Sequence, residues 1–364
     1  MSWKFGENHP LTNKAWSEKV TRNAEHKLIW APLMYPAGPT AKGVIRHPDY
    51  GKGAPIIKVH GEFRTKPGDE LTLPNVASVN TKPVMGDARA KNQKTTLTPY
   101  DMKLKYDAAR IPPITSEGKL NDKKTTLNFR EEAKVAGASW ARRTTEGVIN
   151  AHLFGIKNPA NTAVVDRLNL PRDCSTVFNN EVQEFDAGHI VYAGGKSNDS
   201  QVAADPTAVL TADFLDRLIT TATEDLDIPL EPCDLGNGEE GFLFVLPGRG
   251  VEQLRADPDY RESVTQYDGA LNQLLKRKLV KYGPFVFLEY GNCLDPLANV
   301  GRGLILGKDA LHFAKVMDWE WWEGVEDTHD WINLISIGAM LGAKGTIFNG
   351  ARRNALAVDF YKRS

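Results

Sequence analysis

The run Tyr100-Asp101-Met102-Lys103-Leu104-Lys105-Tyr106-Asp107 alternates apolar and charged side chains without a break. That is the period of a strand with one face toward an apolar surface and the other toward water. A shorter run, Glu70-Leu71-Thr72-Leu73-Pro74-Asn75-Val76, precedes it, with apolar residues at 71 and 73. Between them lies Ala77–Pro99, polar and basic, carrying Lys82, Arg89, Lys91 and Lys94 and few apolar residues. A structureless connection of that length is uncommon inside a compact domain. A two-stranded ribbon cannot bury a face by itself. The pair is therefore expected to project and to lean on something outside its own domain.

The rest of the chain reads as mixed α+β. Residues 1–60 are rich in Pro, Gly and isolated aromatics (Trp3, Phe5, Trp16, Trp30, Tyr35, Tyr50) without sustained periodicity. They read as an extended arm with one short helix near Asn13–Asn23, its aromatics lying on the chain's own body or on a neighbour. The strongest helix falls within Asn121–Leu153, with an Asn128/Glu131 cap signal. Phe129, Ala133, Ala136, Trp140 and Val148 define its packing stripe, which Thr144 interrupts and Gly137 and Gly147 weaken. The pattern lasts about 25 residues, roughly 38 Å of helix. Residues 155–205 are loop-rich. Thr211–Asp225 is helical, Phe242–Leu246 a short apolar strand ended by Pro247, and Val251–Arg255 and Tyr260–Ala270 helical pieces. Phe285–Tyr290 reads as a buried strand, Gly303–Ala314 and Asn333–Ala343 as strand or helix, and Ala355–Phe360 as a closing strand.

At 364 residues a single core is near its practical limit, so two packed units are expected. Charge divides the chain more sharply than its total of −1 suggests. Up to Lys157 there are 26 Lys+Arg against 15 Asp+Glu, a net of +11, and the remainder carries 19 against 31, a net of −12. Such halves can be plain solvated surface, can attract within or between molecules, or can bring the basic part to nucleic acid. The basic stretch lacks the interleaved aromatics of a single-strand platform. No run of about 18 apolar residues offers a membrane span, and the start has no apolar signal segment. Three widely spaced cysteines, Cys174, Cys233 and Cys293, form neither a disulfide framework nor a zinc pattern.

Candidate chemistry fails residue by residue. Gly236-Asn237-Gly238-Glu239-Glu240-Gly241 has dinucleotide-loop spacing, but no strand precedes it, no helix follows, and its two glutamates would repel phosphate. Gly194-Gly195-Lys196-Ser197 ends like a phosphate loop, yet Ile190 stands where the first glycine should be. No two histidines sit three or four apart on a helix, so no metal site or other cofactor is expected. Asp318-Trp319-Glu320-Trp321-Trp322-Glu323 offers carboxylates beside tryptophans, the ingredients of a glycan-binding or glycan-cleaving cleft. Core or interface packing is the alternative for the same residues. The absence of any complete constellation points to a structural protein and not an enzyme.

The order of features resembles the major capsid proteins of tailed bacteriophages. Gly68–Pro74, the basic loop, the 100–107 strand and the helix Phe129–Leu153 resemble the first half of that family, nearest the group typified by the podophage N-four. Phe242–Pro247 with Leu254-Arg255-Ala256-Asp257 resembles its central strand-Pro-helix signature. Gly303-Leu304-Ile305-Leu306-Gly307-Lys308-Asp309-Ala310-Leu311 resembles a later family segment, and Phe348–Asp359 its C-terminal close. The resemblance implies the Hong Kong 97-like capsid fold. Its parts would be an N-terminal arm (1–60), an E-loop ribbon (61–110), a P-domain with a spine helix (111–204), an A-domain (205–300) and a return to the P-domain (301–364). It implies a virion protein, made in the bacterial host cytoplasm, that self-assembles as hexamers and pentamers around double-stranded DNA. Portal and scaffolding proteins, and in some members decoration proteins, would be its partners. The E-loop would lie on a neighbouring subunit, bringing Lys82, Arg89, Lys91 and Lys94 against acidic surface of the C-terminal half.

Overall fold

Two sheets organise the chain, and they are buried in different ways. The computed structural model describes residues 10–36, 55–61, 68, 70–76, 99–115, 129–226, 229–234, 240–265, 281–325 and 333–363. Helix α1 (Pro10–His26) leads to β1 (Met34–Pro36) and β2 (Ile57–His60), followed by the ribbon strands β3 (Glu70–Val76) and β4 (Pro99–Lys105). Then come β5 (Asp107–Arg110), β6 (Ile114–Thr115), the long helix α2 (Phe129–Phe154) and α3 (Thr162–Arg167). The chain continues through β7 (Thr176–Val177), β8 (Asn180–Glu181), β9 (Ile190–Tyr192), α4 (Asp199–Ala204) and α5 (Ala212–Thr220). Next are β10 (Cys233–Asp234), β11 (Glu240–Leu246), α6 (Gly248–Ala256), α7 (Pro258–Thr265) and β12 (Phe285–Glu289). It closes with β13 (Val300–Leu306), the hairpin β14 (Leu311–Val325) and β15 (Asn333–Gly345), β16 (Ile347–Phe348), β17 (Ala351–Arg352) and β18 (Ala355–Tyr361).

The central sheet has the order β10-β11-β13-β18-β9, with β12 also on β11. Its strands are continuous apolar runs because both faces are covered. Leu243, Val245, Leu304, Leu306, Ala355 and Ala357 point into one core. Their alternates Phe242, Phe244, Leu246, Ile305, Leu356, Val358 and Phe360 point into a second core built with Phe214, Leu215 and Leu218 of α5 and Leu254 of α6. The two expected units therefore share one sheet. Buried Arg302 on β13 makes a two-pronged bridge to Asp359 on β18, Nε–Oδ1 2.7 Å and Nη2–Oδ2 2.6 Å, satisfying both charges. Strand β12 is less enclosed than expected: only Phe285 is buried, and Val286, Phe287 and Leu288 are half-buried.

The second sheet, β1-β2-β14-β15-β5 with β6 on β15, is the platform on which α1 and α2 lie. On β15, Ile335, Ile337, Ala339, Leu341 and Ala343 face the helices; on β14 so do Leu311, Phe313, Trp319 and Trp321. Two register shifts interrupt the β14–β15 pairing, between Lys315 and Met317 and between Met317 and Glu320. One bulge alone would turn the distal residues of β14 over; two restore the parity, so Trp319 and Trp321 still point inward.

Helix α2 starts at Phe129 among the described residues, the cap residue Asn128 lying outside them. Its packing face differs from the stripe expected from spacing. Ala133 and Val148 are buried, Phe129 and Trp140 half-buried, but Ala136 is exposed. The helix instead turns Gly137, Ala138 and Ala141 inward, and from Thr144 to its end it is buried all round. At Gly137 and Gly147 the helix comes close to the body. A Cβ at 137 would stand 2.0 Å from Ile337 Cδ1, and one at 147 would stand 2.3 Å from the Leu168 carbonyl. Thr144 does not break the face either, since its hydroxyl donates to the Trp140 carbonyl and accepts from Asn169 Nδ2.

The arm is corrected too. Helix α1 is longer than expected and packs on the chain's own body. Val20 and Ala24 enter the main core, and Glu25 pairs with buried Lys315, which also meets Asp318 at 2.8 Å. Beyond Ala314, β14 loses its β2 partner, and α1 serves that edge. The Trp321 N–H donates to Ser17 Oγ (2.8 Å), and Thr21 Oγ1 donates to the Trp319 carbonyl (3.1 Å). Buried Trp30 donates from Nε1 to Asn150 Oδ1, whose amide donates to the Tyr290 hydroxyl. Trp3, Phe5 and Tyr50 lie outside the described residues.

Candidate assembly surfaces

The alternating run splits between two sheets. Residues through Lys105 belong to the ribbon, in register Glu70↔Lys105 to Val76↔Pro99, and after Tyr106 the chain joins β15 through Leu341↔Asp107. The ribbon's base is braced on its own chain. Met102 and Leu104 are buried, and Tyr100 packs on Phe348 with ring centroids 4.8 Å apart. Asn180 clamps the Lys105 backbone from both sides, accepting from its N–H (2.9 Å) and donating to its carbonyl (2.8 Å). Lys344 Nζ donates to the Lys103 carbonyl at 3.0 Å. The Lys105 carbonyl sits against Gly342, where a Cβ would come within 2.0 Å. Gly342 therefore sets how closely ribbon and sheet meet. Lys82, Arg89, Lys91 and Lys94 lie outside the described residues.

The sheet face beneath this base is polar yet buried. His60 Nε2 and His312 Nδ1 are 2.9 Å apart, one ring donating and the other accepting. Burial, with Lys58 nearby, holds His60 down to about 4; burial, with His60 and Lys58, holds His312 down to about 3. Both rings are neutral near pH 7, so the row Lys58, His312, Lys344 across β2, β14 and β15 is tolerated. Nearby, Asp309 makes a 3.7 Å pair with Lys58, and burial lifts its carboxyl to about 6.

The tryptophan cluster is not a cleft. Trp319 is 2% exposed and meets Trp140 edge-on; Trp321 is 3% exposed and stacks on Trp16 at 5.6 Å. Its carboxylates are dispersed: Asp318 to Lys315, and Glu323 to Arg130 and to the Trp321 Nε1–H. Only Trp322, 54% exposed, faces outward. Two carboxylates facing one sugar are therefore not assembled here. Among the described residues no group of three or more His, Cys, Asp or Glu could hold a metal ion. The three cysteines are free and buried, and burial raises Cys174 to about 11 and Cys233 to about 12. Lys196 of the would-be phosphate loop is engaged by Asp205 at 2.7 Å, and residues 236–239 lie outside the described residues. What the geometry offers is surface: a braced ribbon, a sheet face half covered by it, and a clamped helix.

Residues 4–265 match the phage capsid protein family. The chain belongs to that family. Solved capsid structures have the same fold, the Hong Kong 97-like one. Similar to it are the capsid of Ralstonia phage GP4 (TM-score 0.69, 18% identity, 85% of this chain and 90% of that chain) and the Cyanophage Pam1 capsid (0.66, 14%, 84% and 88%). The capsid of Helicobacter pylori bacteriophage KHP30 (0.59, 11%, 85% and 88%) is also similar. No curated protein matches the sequence. As a phage capsid protein, the chain falls among structural proteins, and its ribbon, platform and two-core sheet are parts of a shell subunit. Core packing, one of the two readings the sequence offered for these tryptophans, holds for Trp319 and Trp321; the periodicity did not pick out the strand β14 beyond Ala314 that sets their direction. The Asn180 clamp left no local signal, lying 75 residues from its partner.

Proposed function

We propose that this chain is the major capsid protein of a tailed double-stranded DNA phage, of the group typified by the podophage N-four. It assembles as hexamers and pentamers into an icosahedral shell, with a portal and a separate scaffolding protein as partners and enclosed DNA as cargo. The observation that carries the reading is a fold likeness covering 85% of this chain and 90% of a phage capsid chain. Closed shells repeat heterologous contacts under rotational symmetry, so one chain must offer unlike, complementary surfaces. In this reading the ribbon of residues 61–110 reaches a neighbour, the platform and α2 form the P-domain, and the α5–α7 region forms the A-domain. The +11/−12 division supports a contact in which Lys82, Arg89, Lys91 and Lys94 meet acidic surface of the next copy.

Overexpressed protein viewed by negative-stain microscopy and sedimented in parallel should give shells, tubes or hexamer-sized particles. A monomer that stays monomeric when phage lysate proteins are added overturns the reading. The charge contact is tested separately by Lys91→Glu/Lys94→Glu, which should block assembly; normal shells from that variant remove it.

A further inference from the structure

Among the described residues, the outer face of β14–β15 is covered over only part of its length. Its proximal part, with His312, Gly342 and Lys344, lies beneath the ribbon base. Its distal part carries Glu320 and Trp322 on β14, with Leu334, Ser336 and Met340 on β15, and β5 adds Arg110 beside Gly338. Trp322 is 54% exposed. Its ring lies across its own strand: a Cβ on Gly324 would stand 2.4 Å from it. The glycine thus lets an exposed tryptophan rest flat, with its orientation set before any partner arrives. A large, pre-oriented aromatic next to charges of both signs has the make-up of an interface anchor.

We infer that this distal face, anchored by Trp322, docks a second copy of the same chain. The inference rests on the capsid reading above. Two observations favour a copy over other occupants. The face continues one that already serves as a docking surface within the protomer, where chain backbone seats on Gly342. Exposed Glu320 and Arg110 stand on the same face, a mixed-sign patch that suits a protein surface of equally mixed charge and not a polyanion. One tryptophan can bury about 150–250 Å², against the roughly 800 Å² per partner of a stable contact, so Trp322 is the anchor of a larger patch.

The test is hydroxyl-radical footprinting of the full-length chain, comparing assembled and unassembled fractions separated by sedimentation. Trp322 oxidation should fall about fivefold or more on assembly, as a half-exposed ring becomes interface core. Two variants accompany it. Trp322→Ala removes the anchor; Gly324→Ala keeps it but displaces the ring. Both should melt like the parent when unassembled and raise the concentration needed for assembly about tenfold or more. Shells in which Trp322 oxidises as fast as in free subunits overturn the inference, as does an unchanged assembly threshold in both variants. If the parent chain forms no particles even with lysate proteins, the capsid reading fails first and this inference falls with it.

Discussion

The central sheet and the hairpin platform are built from similar apolar strands but differ in how much of their burial the protomer supplies. In the central sheet every second residue enters one core and its neighbour the other, so one chain completes both faces. In the platform one face is sealed by α1 and α2, while among the described residues the other is covered where the ribbon base crosses it. The first region holds the subunit together; the second carries the face proposed above for docking a second copy. The difference teaches where variants should act on folding and where on association.

The contrast would break if the central sheet tolerated a large cavity. Phe244 is fully buried in the second core and packs near Phe285 and Phe287. Phe244→Ala should cost about 4 kcal/mol in chemical denaturation of the unassembled subunit. A loss below about 1 kcal/mol would show that this core collapses easily and is not the subunit's mainstay.

A second experiment probes the polar seam beneath the ribbon. His60 and His312 titrate near 6.5 when unfolded but are held down to about 4 and about 3 in the fold. As pH falls below 6.5 the unfolded chain binds protons that the folded chain refuses, so stability drops through that window. Asp199 acts oppositely: burial and Asp359 raise it to about 7, a contribution present at low pH and lost as pH rises toward 7. Asp309, raised to about 6, acts like Asp199. The comparison is therefore between variants. His60→Val/His312→Leu should lose about 5 kcal/mol less than the parent between pH 6.5 and 4. Parallel pH profiles would show that the pair does not stay neutral.

The smallest effect sharpens the comparison at the ribbon base. Asn180→Ala leaves the Lys105 N–H and carbonyl without their clamp and should cost about 1–2 kcal/mol. Hydrogen exchange at Lys105 and its β3 partner should accelerate, with β11, β13 and β18 unchanged. Faster exchange spread through the central sheet would mean that the two regions are not independent.

Much of this organisation was legible in the residues. The strands at 242–246 and 355–360 could be read because doubly buried strands are almost continuously apolar, and 100–105 because alternation marks one buried face. The order of these segments pointed to the capsid family. Less legible was α2, where the working face is made of Gly137, Ala138 and Ala141, small residues that a stripe of large apolar side chains does not pick out. The full length of α1 was less legible because the helix is held by Lys315 and by the edge of β14, about three hundred residues away.

The sequence by itself determined the ribbon strands, the long helix α2, the apolar strands at 242–246 and 355–360, and the family, because local periodicity and segment order are properties of the chain. Only the tertiary structure decided which tryptophans point inward, how closely the ribbon sits on Gly342, and which part of the platform the ribbon base crosses. Those depend on contacts between distant residues, which exist only once the chain has folded.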